Sequence, residues 1–101
     1  MSDAGAPSIT PDTVVVAARD QVSAELEGEA VILNLADGVY YGLDGVGARV
    51  WELLSTPRPA AEIRDAVATE FAVDAGTAWH DLASLLADLA ARRLVEITPG
   101  G

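Results

Sequence analysis

The sequence predicts an α+β fold, a three-stranded antiparallel meander followed by three helices in a winged-helix-like arrangement. Three observations carry that reading. Apolar, β-branched and aromatic residues fill positions 30–35 and 39–43 on either side of Asp37-Gly38. That is a strong hairpin signal, because a tight, right-twisted turn needs residues that tolerate positive φ. Upstream, Val22, Ala24 and Leu26 alternate with Ser23, Glu25 and Glu27 until Gly28, the period of a half-buried strand. Downstream, three stretches space their apolar residues at helical intervals.

Taken in order, residues 1–12 are small, polar and proline-bearing and read as a flexible arm ahead of one domain over 13–97. Residues 13–18 (TVVVAA) are strand-like or a short extended lead-in. The first helix spans 45–55: Val46, Val50, Leu53 and Leu54 share a face with Trp51 beside it, and Asp44 is placed to cap its free amides. Thr56-Pro57 stops it, since a residue before proline is pushed out of the helical region. The second helix runs from Pro59 or Ala60 to Phe71, with Ile63, Val67 and Phe71 four apart. Proline in a first turn costs no hydrogen bond there. The third begins after Asp74, a second N-cap, and reaches about Arg92, with Leu82, Leu85, Leu86 and Leu89 as its stripe. Arg92 and Arg93 suit the negative end of its dipole. Residues 94–97 add a short extended segment, and 98–101 read as a flexible tail. Trp51, Leu53, Leu54, Ile63, Val67 and Phe71 are the expected core.

Composition narrows the function. A chain of 101 residues supports one modest core. It has no cysteine, so disulfides and thiolate metal sites are excluded, and a cytoplasmic address follows as the default. No apolar run is long enough for a bilayer. Sixteen acidic residues face six basic ones, all arginine, for a net charge of −10. Nucleic-acid binding draws its affinity from cations that neutralise phosphates. Arg19, Arg49, Arg58, Arg64 and the Arg92-Arg93 pair are scattered rather than striped, so neither nucleic acid nor an anionic membrane is an expected partner.

Catalytic chemistry is missing. His80 is the single histidine, and Asp81 beside it points to another part of the helix surface. Glu25 and Glu27 share one side of a strand, a spacing that matters for glycosidic chemistry only inside a cleft. The glycines of Gly42-Leu43-Asp44-Gly45-Val46-Gly47 miss the dinucleotide fingerprint, and the strand before them belongs to a hairpin. No catalytic residue, metal ligand or cofactor is expected.

The residues left over are those of an edge. A three-stranded meander has two outer strands, and segment 39–43 carries neither charge nor proline to blunt it. Tyr40 and Tyr41 point to opposite sheet faces, so one of them at most meets a ligand on the helix side. Trp79 sits off the main stripe of the third helix.

The string VILNLADGVYYGLDGVGARVWELL, then PAAEIRDAVATEF and WHDLASLLADLAARRLVE, resembles the PqqD-like proteins, the precursor-peptide recognition elements of ribosomally made, modified peptides (RiPPs). The shared pattern falls on Asn34, Gly38, Tyr40-Tyr41, Leu43-Asp44, Gly47-Ala48, residues 51–54, Glu62-Ile63, Asp81-Leu82, Leu85-Leu86, Leu89 and Leu94-Val95, covering about residues 13–97. Pro59 departs from it, standing where many relatives have a serine or threonine cap. The Tyr-Tyr-Gly-Leu-Asp wording looks most like the small recognition proteins of lasso-peptide biosynthesis.

That resemblance implies a winged-helix-like domain that binds no DNA and performs no chemistry. It implies that a precursor's leader segment adds as a strand to the third strand of the meander, its side chains resting on the last helix. The leader would then be presented to a separate, transglutaminase-like leader peptidase, ahead of a cyclase. β-Augmentation takes affinity from main-chain hydrogen bonds and specificity from side-chain pockets. The residues implied are Val39, Tyr40, Tyr41, Gly42 and Leu43 on the strand and Ala78, Asp81, Leu82, Leu85, Asp88, Leu89 and Arg92 on the helix. A proline at Tyr41 is expected to remove a strand amide and weaken binding. The alternatives are a peptide chaperone of a radical-enzyme or quinone-cofactor pathway and, further off, a winged-helix regulator.

Overall fold

The computed structural model describes residues 9–99. The elements run β1 (Val14–Ala17), β2 (Gln21–Leu26), β3 (Glu29–Asn34), β4 (Tyr40–Asp44), α1 (Gly45–Leu53), β5 (Arg58–Pro59), α2 (Ala60–Glu70), α3 (Ala75–Ala91) and β6 (Val95–Thr98). Strands β2, β3 and β4 make the predicted meander in the order β2-β3-β4, with Val22 opposite Leu33 and Ile32 opposite Tyr41. Three helices follow, as the sequence predicts.

A second small sheet, β5-β1-β6, closes the other side. Of residues 13–18, Val14–Ala17 therefore form a strand, but one whose partners are remote: Val14 lies opposite Thr98 and Pro59, and Ala17 opposite Val95. Thr98, assigned to the tail by its sequence, is the last residue of β6. The backbone carbonyls of Pro11 and Thr13 accept the amides of Ala61 and Ala60 at 2.9 and 2.8 Å. Those amides open α2 and have no partner within it, and Pro59 offers no side-chain cap. Of the expected N-terminal arm, residues 1–8 lie outside the described chain, as do residues 100–101 of the tail.

The core sits between the inner face of the meander, the three helices and β1. Ile32, Leu54, Ile63, Leu86, Leu89, Leu94, Val15 and Val50 are fully buried, with Trp51, Val67 and Leu82 almost so. Leu53 and Trp79 are partly buried against them. Two local expectations fail. Phe71 is 39% exposed. It is the C-cap of α2, beyond the last helical turn, and the chain reverses at Ala72 with φ 52°. The four-residue spacing thus runs past the part of α2 that other elements cover. Val22 and Leu26 are 54% and 70% exposed. The register pairs Val22, Ala24 and Leu26 with Leu33, Val31 and Glu29, on the sheet face opposite buried Ile32 and Ala30. The alternation is correct, but its apolar side faces away from the helices.

The caps divide too. Asp74 caps α3: the Thr77 amide donates to its Oδ1 at 2.8 Å and the Thr77 hydroxyl to its Oδ2 at 3.0 Å. Asp44 makes no such bond. It is still a strand residue, extended at φ −140° and paired with Glu29, so its side chain projects from the outer sheet face. The hairpin between β3 and β4 turns through residues 35–38, with Gly38 at φ 72°, where any side chain would be strained.

Candidate functional site

Register decides which backbone groups of β4 are free. The Asn34 amide donates to Val39 O at 3.0 Å, and the Gly45 amide to Gly28 O at 3.2 Å. Hydrogen-bonded and non-bonded pairs alternate in an antiparallel ladder, so Ile32–Tyr41 and Ala30–Leu43 are bonded pairs between those ends. The amides and carbonyls of Tyr40 and Gly42, and the amide of Asp44, therefore point outward. Strand β3 is the only strand that pairs with β4 among the described residues. The Tyr41 amide faces Ile32, so a proline there would break the internal ladder rather than the free edge. Gly42 is the position whose amide is available.

Beside this edge lies a groove of about 340 Å³. Gly42, Leu43 and Asp44 form one lip, and Ala78, Asp81, Leu82 and Leu85 of α3 form the other. Val50, Val67 and Val73 also line it, and Val46 and Gly47 close its end. Gly47 is needed for a close approach: a Cβ there would lie 3.2 Å from Leu43 Cδ2. The groove is mostly apolar, and Asp81 on its helix lip is an acidic side chain at its border.

Farther along, Tyr41 crosses to the helix. Its hydroxyl donates to Asp88 Oδ2, and the Arg92 guanidinium sits over its ring, 4.5 Å from the centroid. Arg92 Nε also reaches Asp88 Oδ1 at 3.4 Å. Donation to the Asp88 carboxylate, followed by desolvation, holds the Tyr41 hydroxyl above its ordinary pKa. Beyond this bridge a smaller hollow of about 230 Å³ is lined by Val39, Tyr41, Arg92, Asn34 and Asp37 among others. The bridge thus separates an apolar groove from a polar hollow along one edge.

The residues singled out by sequence are largely brought together. Gly42, Leu43, Ala78, Asp81, Leu82 and Leu85 line the groove, Val39, Tyr41 and Arg92 line the hollow, and Asp88 links Tyr41 to Arg92. Tyr40 stands 69% exposed on the outer sheet face. Leu89 lines neither cavity and is fully buried in the core. Sequence reasoning overlooked the groove residues of α1 and α2 and the part played by Asn34. Buried Asn34 donates from Nδ2 to the Arg92 carbonyl at 2.9 Å and accepts the Ala36 amide at 2.9 Å. One side chain thereby fastens the hairpin to the end of α3 and satisfies a carbonyl the helix leaves open. The signal was its place in the family pattern, at the end of a hydrophobic strand.

Residues 29–95 match the family of coenzyme PQQ synthesis protein D. This chain belongs to the PqqD family. The chain is also similar to a solved structure, "TbiB1 in Complex with the TbiA(beta) Leader Peptide", which is 41% identical and superposes with a TM-score of 0.76. The match covers 80% of this chain and 94% of that one. A comparison with curated proteins gave no match. Among the described residues, no group of three or more His, Asp or Glu side chains is placed to hold a metal ion. No helix among them is long and apolar enough to cross a membrane.

Proposed function

We propose that this PqqD-family protein binds the leader segment of a ribosomally made precursor peptide and performs no chemistry on it. The observation that carries this reading is the free edge of β4 beside an apolar groove. The outward groups of Tyr40, Gly42 and Asp44 offer a ladder to an extended peptide, and the β4–α3 groove receives the side chains on its helix side. TbiB1, the 41% identical relative, is in complex with a leader peptide, which supports the same class of ligand here. The bound leader is presented to a separate leader peptidase of transglutaminase-like type, and a cyclase then acts on the core, as in lasso-peptide assembly in the cytoplasm.

Fluorescence anisotropy with labelled TbiA(beta) leader peptide tests the reading. Saturable binding in the nanomolar to micromolar range, roughly −8 to −12 kcal/mol, is expected. No binding by the folded protein contradicts it. A second reading, a peptide chaperone in a quinone-cofactor pathway, is favoured by the family description itself. Co-purification separates the two: a leader peptidase supports the first, a radical enzyme the second.

A further inference from the structure

The outer face of the meander takes no part in the groove, and on β2 the usual polarity is inverted. The residues on the helix side, Gln21, Ser23 and Glu25, are polar, while Val22, Ala24 and Leu26 point away. Ser23 and Glu25 are as open to solvent as the apolar set, so burial within the chain does not explain the alternation. The register carries the apolar face across the sheet. Leu33 and Tyr40 continue the row of Val22, Val31 and Gly42 that of Ala24, and Glu29 and Asp44 that of Leu26. In a chain of net charge −10, only the last of these three rows is charged.

Little in the rest of the sequence could cover this face. Residues 1–8 and 100–101 bring one large apolar side chain, Met1. A leader paired with β4 would lie beside the sheet, not over it. Val22, Leu26, Val31 and Tyr40 are 43–70% exposed. The nine side chains together expose roughly 600 Å², the top of what a monomer usually leaves open, and two such faces reach the roughly 1,200 Å² at which stable interfaces begin.

We propose that a second copy of this chain covers the face, the two sheets packing about a two-fold axis that crosses the strands at Val31. This axis sets each strand over its own counterpart with the direction reversed. The acidic row of one copy then meets the Tyr40 row of the other. A two-fold axis along the strands would instead stack Glu29 on Glu29. In the crossed arrangement the Tyr40 hydroxyl donates to the Asp44 carboxylate of the second copy, which also relieves the like-charge pairing of Asp44 with Glu29. Leu26 of the second copy enters a hollow of about 260 Å³ bordered by Val22, Val31, Leu33 and Tyr40. The face thus complements itself: acids at one end and a phenol at the other, a projecting leucine at one end and a hollow at the other. The β4–α3 groove lies on the opposite side of the sheet and stays open, so the inference stands apart from leader binding.

Sedimentation equilibrium of the full chain is expected to show a monomer passing to a dimer in the micromolar range. Salt should tighten the dimer, because it screens the repulsion between two copies of charge −10. Val31→Glu is expected to give a folded monomer by circular dichroism. Tyr40→Phe should weaken the dimer about tenfold, since symmetry removes two hydrogen bonds. Single cysteines in this cysteine-free chain read the geometry directly. With a short bismaleimide, Val31→Cys should cross-link to itself far faster than Ser23→Cys on the helix side. A wild type that stays monomeric up to about 1 mM would overturn the proposal and leave the face to a different protein. A dimer that persists in Val31→Glu, or equal cross-linking at the two cysteines, would put the contact elsewhere and overturn it too. If Val31→Glu fails to fold, Tyr40→Phe and the cysteine pair decide.

Discussion

Tyr41 of β4 and Asp88 of α3, 47 residues apart in sequence, share a hydrogen bond at the centre of the candidate site. It ties the edge strand to the helix that forms the other side of the groove, and Arg92 stacks on the same ring. The spacing between edge and helix is therefore held by a side-chain bridge as well as by the core beneath it.

Removing the hydroxyl tests that bridge. Tyr41→Phe keeps the ring under Arg92 and is expected to cost about 0.5–1.5 kcal/mol at neutral pH. The folded state raises the Tyr41 pKa, so the stabilisation is complete below the ordinary tyrosine value and fades as pH rises through the folded one. Urea denaturation at pH 7 and above pH 10 should show the gap between wild type and Tyr41→Phe narrowing in alkali. A constant gap would mean the hydroxyl and Asp88 are not coupled.

Gly42 is the backbone position that separates edge pairing from side-chain recognition. Gly42→Pro removes an outward amide and leaves the β3 ladder intact, a placement proline tolerates on edge strands. Leader binding is expected to weaken roughly three- to tenfold for the one lost hydrogen bond, with little effect from Gly42→Ala. Equal losses in both, with the melting temperature unchanged, would assign the effect to crowding by a side chain.

Asn34 is a structural fastener. Asn34→Leu is expected to destabilise the protein by about 1–3 kcal/mol, because the Arg92 carbonyl and the Ala36 amide both lose their partner in a partly buried place. Chemical denaturation measures this directly. Stability equal to wild type would show that water replaces the amide.

Core and surface positions should separate as burial dictates. Leu54→Ala is expected to cost about 2–5 kcal/mol, while Phe71→Ala stays within about 1 kcal/mol. The same denaturation series compares them, and a large loss at Phe71 would place it in the core after all.

The elements legible in the sequence were those built from local signals. Turn residues 35–38, the Asp74 cap and the apolar period of α3 each act within a few residues, and the structure follows them. The strand at Val14–Ala17 found partners 43 and more residues away, and no local pattern encodes that pairing. Period alone fixed which residues of β2 share a face but not which face the helices cover, and so Val22 and Leu26 were misjudged. Asp44 shows a similar limit: its residue type suits a cap, but pairing with Glu29 keeps its side chain on the sheet. In the candidate site, the family pattern picked out the strand and the helix. The parity of β4, which makes Gly42 rather than Tyr41 the open amide, required the register.

Amide hydrogen exchange at β4, followed residue by residue by NMR with and without leader peptide, tests the central claim most directly. Tyr41 and Leu43, already bonded to β3, should be protected in both states, while Tyr40, Gly42 and Asp44 should exchange fast alone and slow strongly when the peptide is bound. Peptide binding that leaves the exchange of Gly42 unchanged would contradict strand addition at this edge.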